Sequence, residues 1–194
     1  VDGALRELTL DLTGAARQSQ AHGKWYDAAV RGNVFMGTSA AAGVAPGATL
    51  GTTMAYALYN PKGSDVDLVV MAVGIGYISG TLAAGTLVAA SYIENAANAA
   101  PTGTAVVERC TRLGVNRSKG KPLETVTTSA APTIMFPLFD LTAKLATTAL
   151  QNAAFVEPVH GAIIVRPGTT LCIGGITAAE AGAPLIVIGV MWEE

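Results

Sequence analysis

The longest uncharged stretch of the chain, residues 68–93, has the pattern of two buried β-strands. It contains no Asp, Glu, Lys or Arg, and it is longer than the roughly 20 residues of a transmembrane helix. However, its glycines and β-branched residues disfavour a helix, and the turn-forming "SGTLAAGT" divides it near the middle. It also lacks the basic and aromatic anchors that flank a membrane span. We therefore predict two strands joined by a turn, and no membrane span.

Strand-length runs recur along the rest of the chain. The runs "TMAYALYN", "LETVTTSAA", "TIMFPLF" and "GAPLIVIGVMWEE" are apolar or alternate between apolar and polar residues. Turn signals separate such runs at intervals of about 8–15 residues, among them "NPKGSD" over residues 60–65. About nine runs of this kind, without helices alternating between them, predict an all-β sandwich or barrel.

Three segments depart from this pattern. Residues 26–38 read as a pair of strands broken near Gly32 and Asn33. Residues 13–53 are expected to form a partly extended arm or loop region within a single domain over residues 1–194, and residues 38–53 are a candidate contact arm. Residues 140–153, "DLTAKLATTALQNA", suit either one short helix capped by Asp140 or a strand.

The composition indicates a surface that needs a protein partner. Only 13% of residues are charged, against about 25% in ordinary soluble chains, and hydrophobic residues reach 51% with a mean hydropathy of +0.43. Burial in an oligomer or larger assembly is the usual way to cover such a surface. The net charge of -2 does not indicate a nucleic-acid partner or an anionic membrane surface.

The residues that could carry chemistry do not form a recognisable catalytic or metal-binding pattern. Gly74, Gly76 and Gly80 resemble a dinucleotide loop, but no convincing amphipathic helix follows them. We expect Gly74 and Gly76 to share one face of a strand that either a bulky neighbour or the backbone of another subunit approaches closely. Two histidines and two unpaired cysteines, Cys110 and Cys172, lack the spacing of a zinc site, and we expect buried, reduced thiols. The basic loop "RSKGK", residues 117–121, is expected to be an exposed tip.

Two motifs resemble a known group of proteins. The segment "ALYNPKGSDVDLVVMAVGIGYISGTLAAGT" and the final strand "GAPLIVIGVMWEE" resemble tailed-bacteriophage head-decoration, or cement, proteins. The resemblance implies a jelly-roll-like β-sandwich that sits as a homotrimer on the capsid exterior of the virion and clamps the major capsid protein. It implies no catalytic residue, so the chain is expected to be a non-enzyme that is made in the cytoplasm of a host bacterium and needs no cofactor.

These considerations define the functional expectations for the chain. The leading one is a structural virion protein that stabilises the assembled shell, with contacts to its own copies and to the major capsid protein, and none to nucleic acid or membrane. The alternative is a phage fibre or head-spike sandwich that binds a cell-surface glycan, with Trp25 or Tyr77 as stacking platforms. The interface candidates are Trp25, Val44, Pro46, Tyr77 and Trp192.

Overall fold

The structure is a computed structural model that describes residues 25–81, 85–114, 117–140, 154–176 and 183–194. Within these ranges the chain forms one short helix and eleven strands. They are, in chain order, α1 (Tyr26–Arg31), β1 (Val34–Thr38), β2 (Thr53–Asn60), β3 (Leu68–Ser79), β4 (Thr86–Ile93), β5 (Thr102–Ala105), β6 (Arg109–Cys110), β7 (Lys121–Thr127), β8 (Thr133–Asp140), β9 (Ala154–Val165), β10 (Thr169–Ile176) and β11 (Leu185–Glu193).

The strands form two antiparallel sheets with the connectivity of a jelly roll. The five-stranded sheet has the order β6-β1-β11-β3-β9, and the six-stranded sheet has the order β5-β7-β2-β10-β4-β8. When the short insertion β5–β7 is set aside, the remaining eight strands pair as β1-β11-β3-β9 and β2-β10-β4-β8. This is the double Greek-key arrangement of jelly-roll sandwiches. The expected all-β, jelly-roll-like sandwich is confirmed.

The core lies between the two sheets and is built by residue alternation. Along β11, Ile186, Ile188, Val190 and Trp192 point inward and are buried, while the residues between them are partly exposed. The rings of Trp192 and Phe35 are stacked, with centroids 6.2 Å apart. The carboxyl-terminal strand therefore supplies a continuous apolar ridge to the sandwich.

One buried tyrosine links the two sheets by a hydrogen bond. Tyr56 on β2 is completely buried, and its hydroxyl donates to the backbone oxygen of Gly37 on β1 over 2.8 Å. Gly37 leaves room for this contact, because a Cβ there would lie 2.9 Å from the Tyr56 hydroxyl oxygen. Burial, together with the nearby Glu124 carboxylate, raises the pKa of Tyr56. The hydroxyl therefore stays protonated and remains a donor.

The uncharged stretch that suggested a membrane span is two strands, as predicted. Residues 68–93 contain β3 and β4, and Gly80 ends the first strand with a φ of 88°. In the described part of the chain, no helix has the length and hydropathy that crossing a membrane requires. The turn at residues 60–65, which precedes β3, is held against the sheet by Asn60. Its amide nitrogen donates to the backbone oxygens of Val66 and Val165 over 2.7 and 2.8 Å.

The prediction of a strand pair over residues 26–38 is wrong in its first half. Residues 26–31 form α1, with Asp27 in its first turn and Arg31 in its last, as the helix dipole favours. Gly32 ends the helix in the left-handed conformation with a φ of 79°. In the second half, β1 follows as predicted. Residues 13–24 of the expected arm and the helix candidate after Asp140 lie outside the described residues, and Asp140 itself ends β8.

Candidate interaction surface

The centre of the outer face of the six-stranded sheet is covered by the chain's own loops, whereas Ile134 on the edge strand β8 is 48% exposed. The outward side chains of the centre include Ala57, Cys172 and Tyr92, and they form a second buried apolar cluster. The Tyr92 hydroxyl is within 2.5 Å of the Ala99 backbone oxygen and 2.8 Å of the Ser129 hydroxyl, so it holds two loops over this face. These apolar side chains are therefore shielded from water without a partner.

The outer face of the five-stranded sheet has a different character. Met36 on β1 and Val156 on β9 point outward and are 44% and 65% exposed. Between them, the outward residues of β11 and β3 are only partly buried. In the centre of this face the outward residues are small or apolar apart from one threonine, and they are Met36, Thr38, Val187, Gly189, Met191, Ala72, Gly74, Gly76, Val156 and Pro158.

Strand register arranges these residues in rows across the sheet. One row runs Met36, Met191, Ala72 and Pro158, and the next runs Thr38, Gly189, Gly74 and Val156. β-Branched side chains therefore stand at the edges of the second row, and two glycines form its floor. The result is a shallow groove of about 240 Å³.

The groove is apolar and carries no charge. Its lining consists of Met36, Thr38, Ala72, Gly74, Val156, Gly189, Val190 and Met191. By register, Arg109 on β6 lies beside Met36, and Glu193 lies at the far end of β11. Charged side chains therefore border this face without entering its centre. A charge-free centre with a polar rim is the anatomy of a protein–protein contact surface.

Three of the five predicted interface residues are buried within the single chain, and two of them, Val44 and Trp192, belong to its core. Trp192 is fully buried, and its indole nitrogen lies 3.2 Å from both the Ser118 hydroxyl and the Glu194 carboxylate. Val44 and Pro46 are also buried. The assignment of these residues to an interface is therefore corrected: none presents side-chain surface to a partner.

The candidate contact arm, residues 38–53, forms a strap across one side of the sandwich. The backbone nitrogen and oxygen of Val44 pair with Ile186 on β11 over 2.7 and 3.0 Å. Two residues later, the Pro46 oxygen accepts a hydrogen bond from Gly175 on β10 over 2.5 Å. Because β11 and β10 belong to different sheets, the strap fastens one sheet to the other.

The other two candidates, Trp25 and Tyr77, lie near opposite ends of the five-stranded sheet. Trp25 stacks on His160 of β9 with ring centroids 6.3 Å apart. The neighbouring Gly161 lies against Val69, near the start of β3. Tyr77 is eight residues further along β3, about 26 Å away at the rise of a strand. The two aromatic rings therefore do not form one stacking platform.

The basic loop at residues 117–121 serves the fold. The Glu194 carboxylate accepts hydrogen bonds from the backbone nitrogens of Lys119 and Gly120 over 3.0 and 3.1 Å, and a short one from the Ser118 hydroxyl. Successive backbone N–H groups of this kind form an anion-binding nest. Here the chain's own carboxylate fills the nest, which positions the loop against the end of β11.

A second polar cluster joins the two turns at one end of the sandwich. The Tyr59 hydroxyl donates to the Glu94 carboxylate over 2.6 Å, and the Lys62 ammonium lies 3.3 Å from its other oxygen. The hydrogen bond from Tyr59, assisted by Lys62, lowers the pKa of Glu94. Burial and the same carboxylate raise the pKa of Tyr59 to about 12. The pair is therefore held as a neutral phenol and a carboxylate.

Titratable groups elsewhere are arranged as structural residues. Cys110 and Cys172 are buried free thiols, as predicted, and burial raises the pKa of Cys172 to about 12. Across the described ranges, no three His, Cys, Asp or Glu side chains come together as a metal site. An open depression of about 830 Å³ near β5 and β6 is bordered by Glu108, Arg109 and Arg117, which is typical of a solvated loop.

Comparisons with protein-family models, with curated proteins and with solved structures find no match for this chain. Sequence reasoning identified Gly74 and Gly76 but missed Met36, Met191 and Val156. The sequence signal for this face was the absence of charge at every second position of β3 and at most of the alternate positions of β11.

Proposed function

We propose that this chain is a structural, non-catalytic virion protein that binds and stabilises an assembled bacteriophage shell. The observation that carries the proposal is the exposed apolar outer face of the five-stranded sheet, whose central groove is lined by uncharged residues within the described part of the chain. The centre of the other sheet's outer face is covered by loops. A chain with so few charges and an exposed apolar sheet face is suited to permanent contact with protein.

The jelly-roll topology and the two sequence motifs support the same function. They are the features that resemble head-decoration proteins, whose partners are the major capsid protein and copies of themselves. The resemblance favours a trimer on the exterior of the virion. A protein that binds only the assembled lattice stabilises it by mass action, by about 2.7 kcal/mol per site at a free concentration 100 times Kd.

Binding to heads that lack this protein tests the proposal. Purified chain is mixed with such heads, and the heads are sedimented and then heated or transferred to low salt. We expect saturable co-sedimentation and a higher temperature of head disruption. Disassembled shell subunits are the matched control, because a cement protein binds the lattice and not its separate subunits. Heads that neither bind the chain nor gain stability would contradict the proposal.

Glycan binding by a fibre or spike has less support. A sugar platform needs an accessible aromatic face, but the Trp25 ring is stacked on His160, and the Tyr77 hydroxyl bonds the Gly80 backbone oxygen. A glycan array separates the two functions. Binding that Trp25→Ala abolishes, combined with no binding to heads, would favour the spike.

A further inference from the structure

Gly74, on the groove floor, is a glycine that its own fold does not require. A Cβ at this position would meet nothing closer than 3.9 Å, and the residue does not have a left-handed φ. Glycine in the middle of a strand weakens the strand, and it often marks a site where another backbone or a ligand approaches closely. No contact within the described fold requires a glycine at position 74, whereas a close approach from outside that fold would account for it.

The groove consists of a ridge beside a depression, so the same surface of a second copy can fit against it. Met36 and Met191 stand side by side on β1 and β11, next to the floor formed by Gly189 and Gly74. Methionine is flexible and adapts its shape to an apolar depression. When two such faces meet about a two-fold axis, the methionine ridge of each copy can lie over the glycine floor of the other.

The charge pattern favours a second copy as the occupant. Copies of this chain carry the same net charge of -2, so they approach best where no like charges meet. The centre of the groove meets this condition, because none of its lining residues is charged. A partner with a charged surface would have to desolvate that charge against apolar side chains without compensation.

The size of the face is sufficient for a specific contact. Four strands at about 4.8 Å spacing and about 25 Å length give roughly 480 Å² per copy before side-chain relief is added. Two copies together then bury about 1,000 Å², which is the lower limit for a biological interface and more than most crystal contacts bury. Sheets packed in this way lie about 10 Å apart, as they do within a sandwich.

We propose that two copies of this chain pair face to face through the outer surfaces of their five-stranded sheets, with the Gly74–Gly189 floor at the centre of the contact. The inference rests on the proposed function only in assuming that the chain acts as a homo-oligomer. A contact between identical faces has two-fold symmetry and gives a dimer. The smallest assembled unit is then a dimer, which differs from the trimer that the sequence resemblance implies.

Sedimentation equilibrium of the full chain tests the pairing without any shell present. We expect twice the chain mass of 19.6 kDa for the wild type at micromolar concentration. Gly74→Arg places a charge on each groove floor, and we expect self-association at least about 30-fold weaker, as for a hot-spot residue. Gly51→Arg is the matched control, because a Cβ at Gly51 also meets nothing within 4 Å. Met36→Lys provides an independent second variant, and thermal unfolding verifies that each variant is folded.

Each outcome decides the inference. A wild-type dimer that Gly74→Arg and Met36→Lys dissociate, and Gly51→Arg does not, supports it. A monomer overturns it, and protection of the groove in that monomer would assign the cover to the chain's own residues. A trimer, or a dimer that Gly74→Arg leaves intact, also overturns it. Binding to heads is measured in a separate experiment. The dimer can therefore be confirmed when the proposed shell function is refuted, and the shell function can be confirmed when the dimer is refuted.

Discussion

Removing the Tyr56 hydroxyl tests whether the two sheets are joined as the structure has them. Tyr56→Phe keeps the ring in the core and deletes only the donor to the Gly37 backbone oxygen, 2.8 Å away. Because Tyr56 is completely buried, water cannot readily replace the lost donor. The substitution therefore measures one inter-sheet hydrogen bond with little change in packing.

The magnitude depends on whether the Gly37 oxygen keeps a partner. A typical intramolecular hydrogen bond contributes about 0.5–1.5 kcal/mol, whereas a buried acceptor left without a partner costs about 1–3 kcal/mol. By register, the Gly37 oxygen also faces the Val190 N–H in the β1–β11 ladder, so the first range applies and we expect the free energy of unfolding to fall by about 0.5–1.5 kcal/mol. For a chain of 194 residues, each kcal/mol lowers Tm by about 2–4 °C. The expected decrease in Tm is therefore about 1–6 °C.

Guanidinium unfolding followed by tryptophan fluorescence, together with calorimetry, measures this change. The matched control is Tyr77→Phe, since the Tyr77 hydroxyl bonds the Gly80 oxygen at an exposed site and its loss should cost less than about 0.5 kcal/mol. An unchanged m-value would show that the denatured state is unaffected. If Tyr56→Phe is as mild as Tyr77→Phe, the inter-sheet bond does not hold the sandwich together.

Three further predictions follow from buried or paired groups. Gly120→Ala should lower the free energy of unfolding by about 1–3 kcal/mol in denaturant titrations, because the new Cβ would lie 2.7 Å from a buried Leu68 methyl; a stability equal to wild type would contradict the packing at this loop. The pKa of Glu94 is lowered, chiefly by Tyr59, so its stabilisation is present above about pH 4.3 and is lost as pH falls through the lower folded pKa. Glu94→Gln should flatten the acid side of the Tm–pH curve, and an unaltered curve would count against the pair. Cys172, whose pKa burial raises to about 12, should react with a thiol reagent at about pH 8 only after unfolding, and rapid labelling of the folded chain would disagree.

Alternation and turn chemistry made most of the fold predictable. The strand boundaries of β3 and β4 follow from the uncharged run and from the glycines that divide it, and "NPKGSD" forms the turn that its Pro and Gly predict. The helix at residues 26–31 was missed because it is too short to show a period of 3.6, and Gly32 terminates helices and strands alike. The local sequence pattern therefore does not distinguish a short helix that ends at Gly32 from a strand that ends there.

The contact surface was harder to predict, since it depends on which strands become neighbours. Trp192 and Val44 looked like interface anchors because large apolar residues are common at both interfaces and cores, and only the packing of β11 against the other sheet assigns them to the core. Met36 and Val156 are 120 residues apart and reach one groove only through the order β1-β11-β3-β9. That order is a long-range property that spacing along the chain does not encode.

Methionine oxidation at working protein concentration tests the central claim most directly. Met36, on the outer face of the five-stranded sheet, and Met135, on the edge strand β8, are 44% and 47% exposed in the single chain, so they form an internal matched pair. Peroxide oxidises exposed methionines and spares covered ones. Peptide mass spectrometry should find Met36 protected relative to Met135 in the native assembly, and equally reactive after dilution to the single chain. Equal oxidation of the two residues under all conditions would show that no protein covers this face.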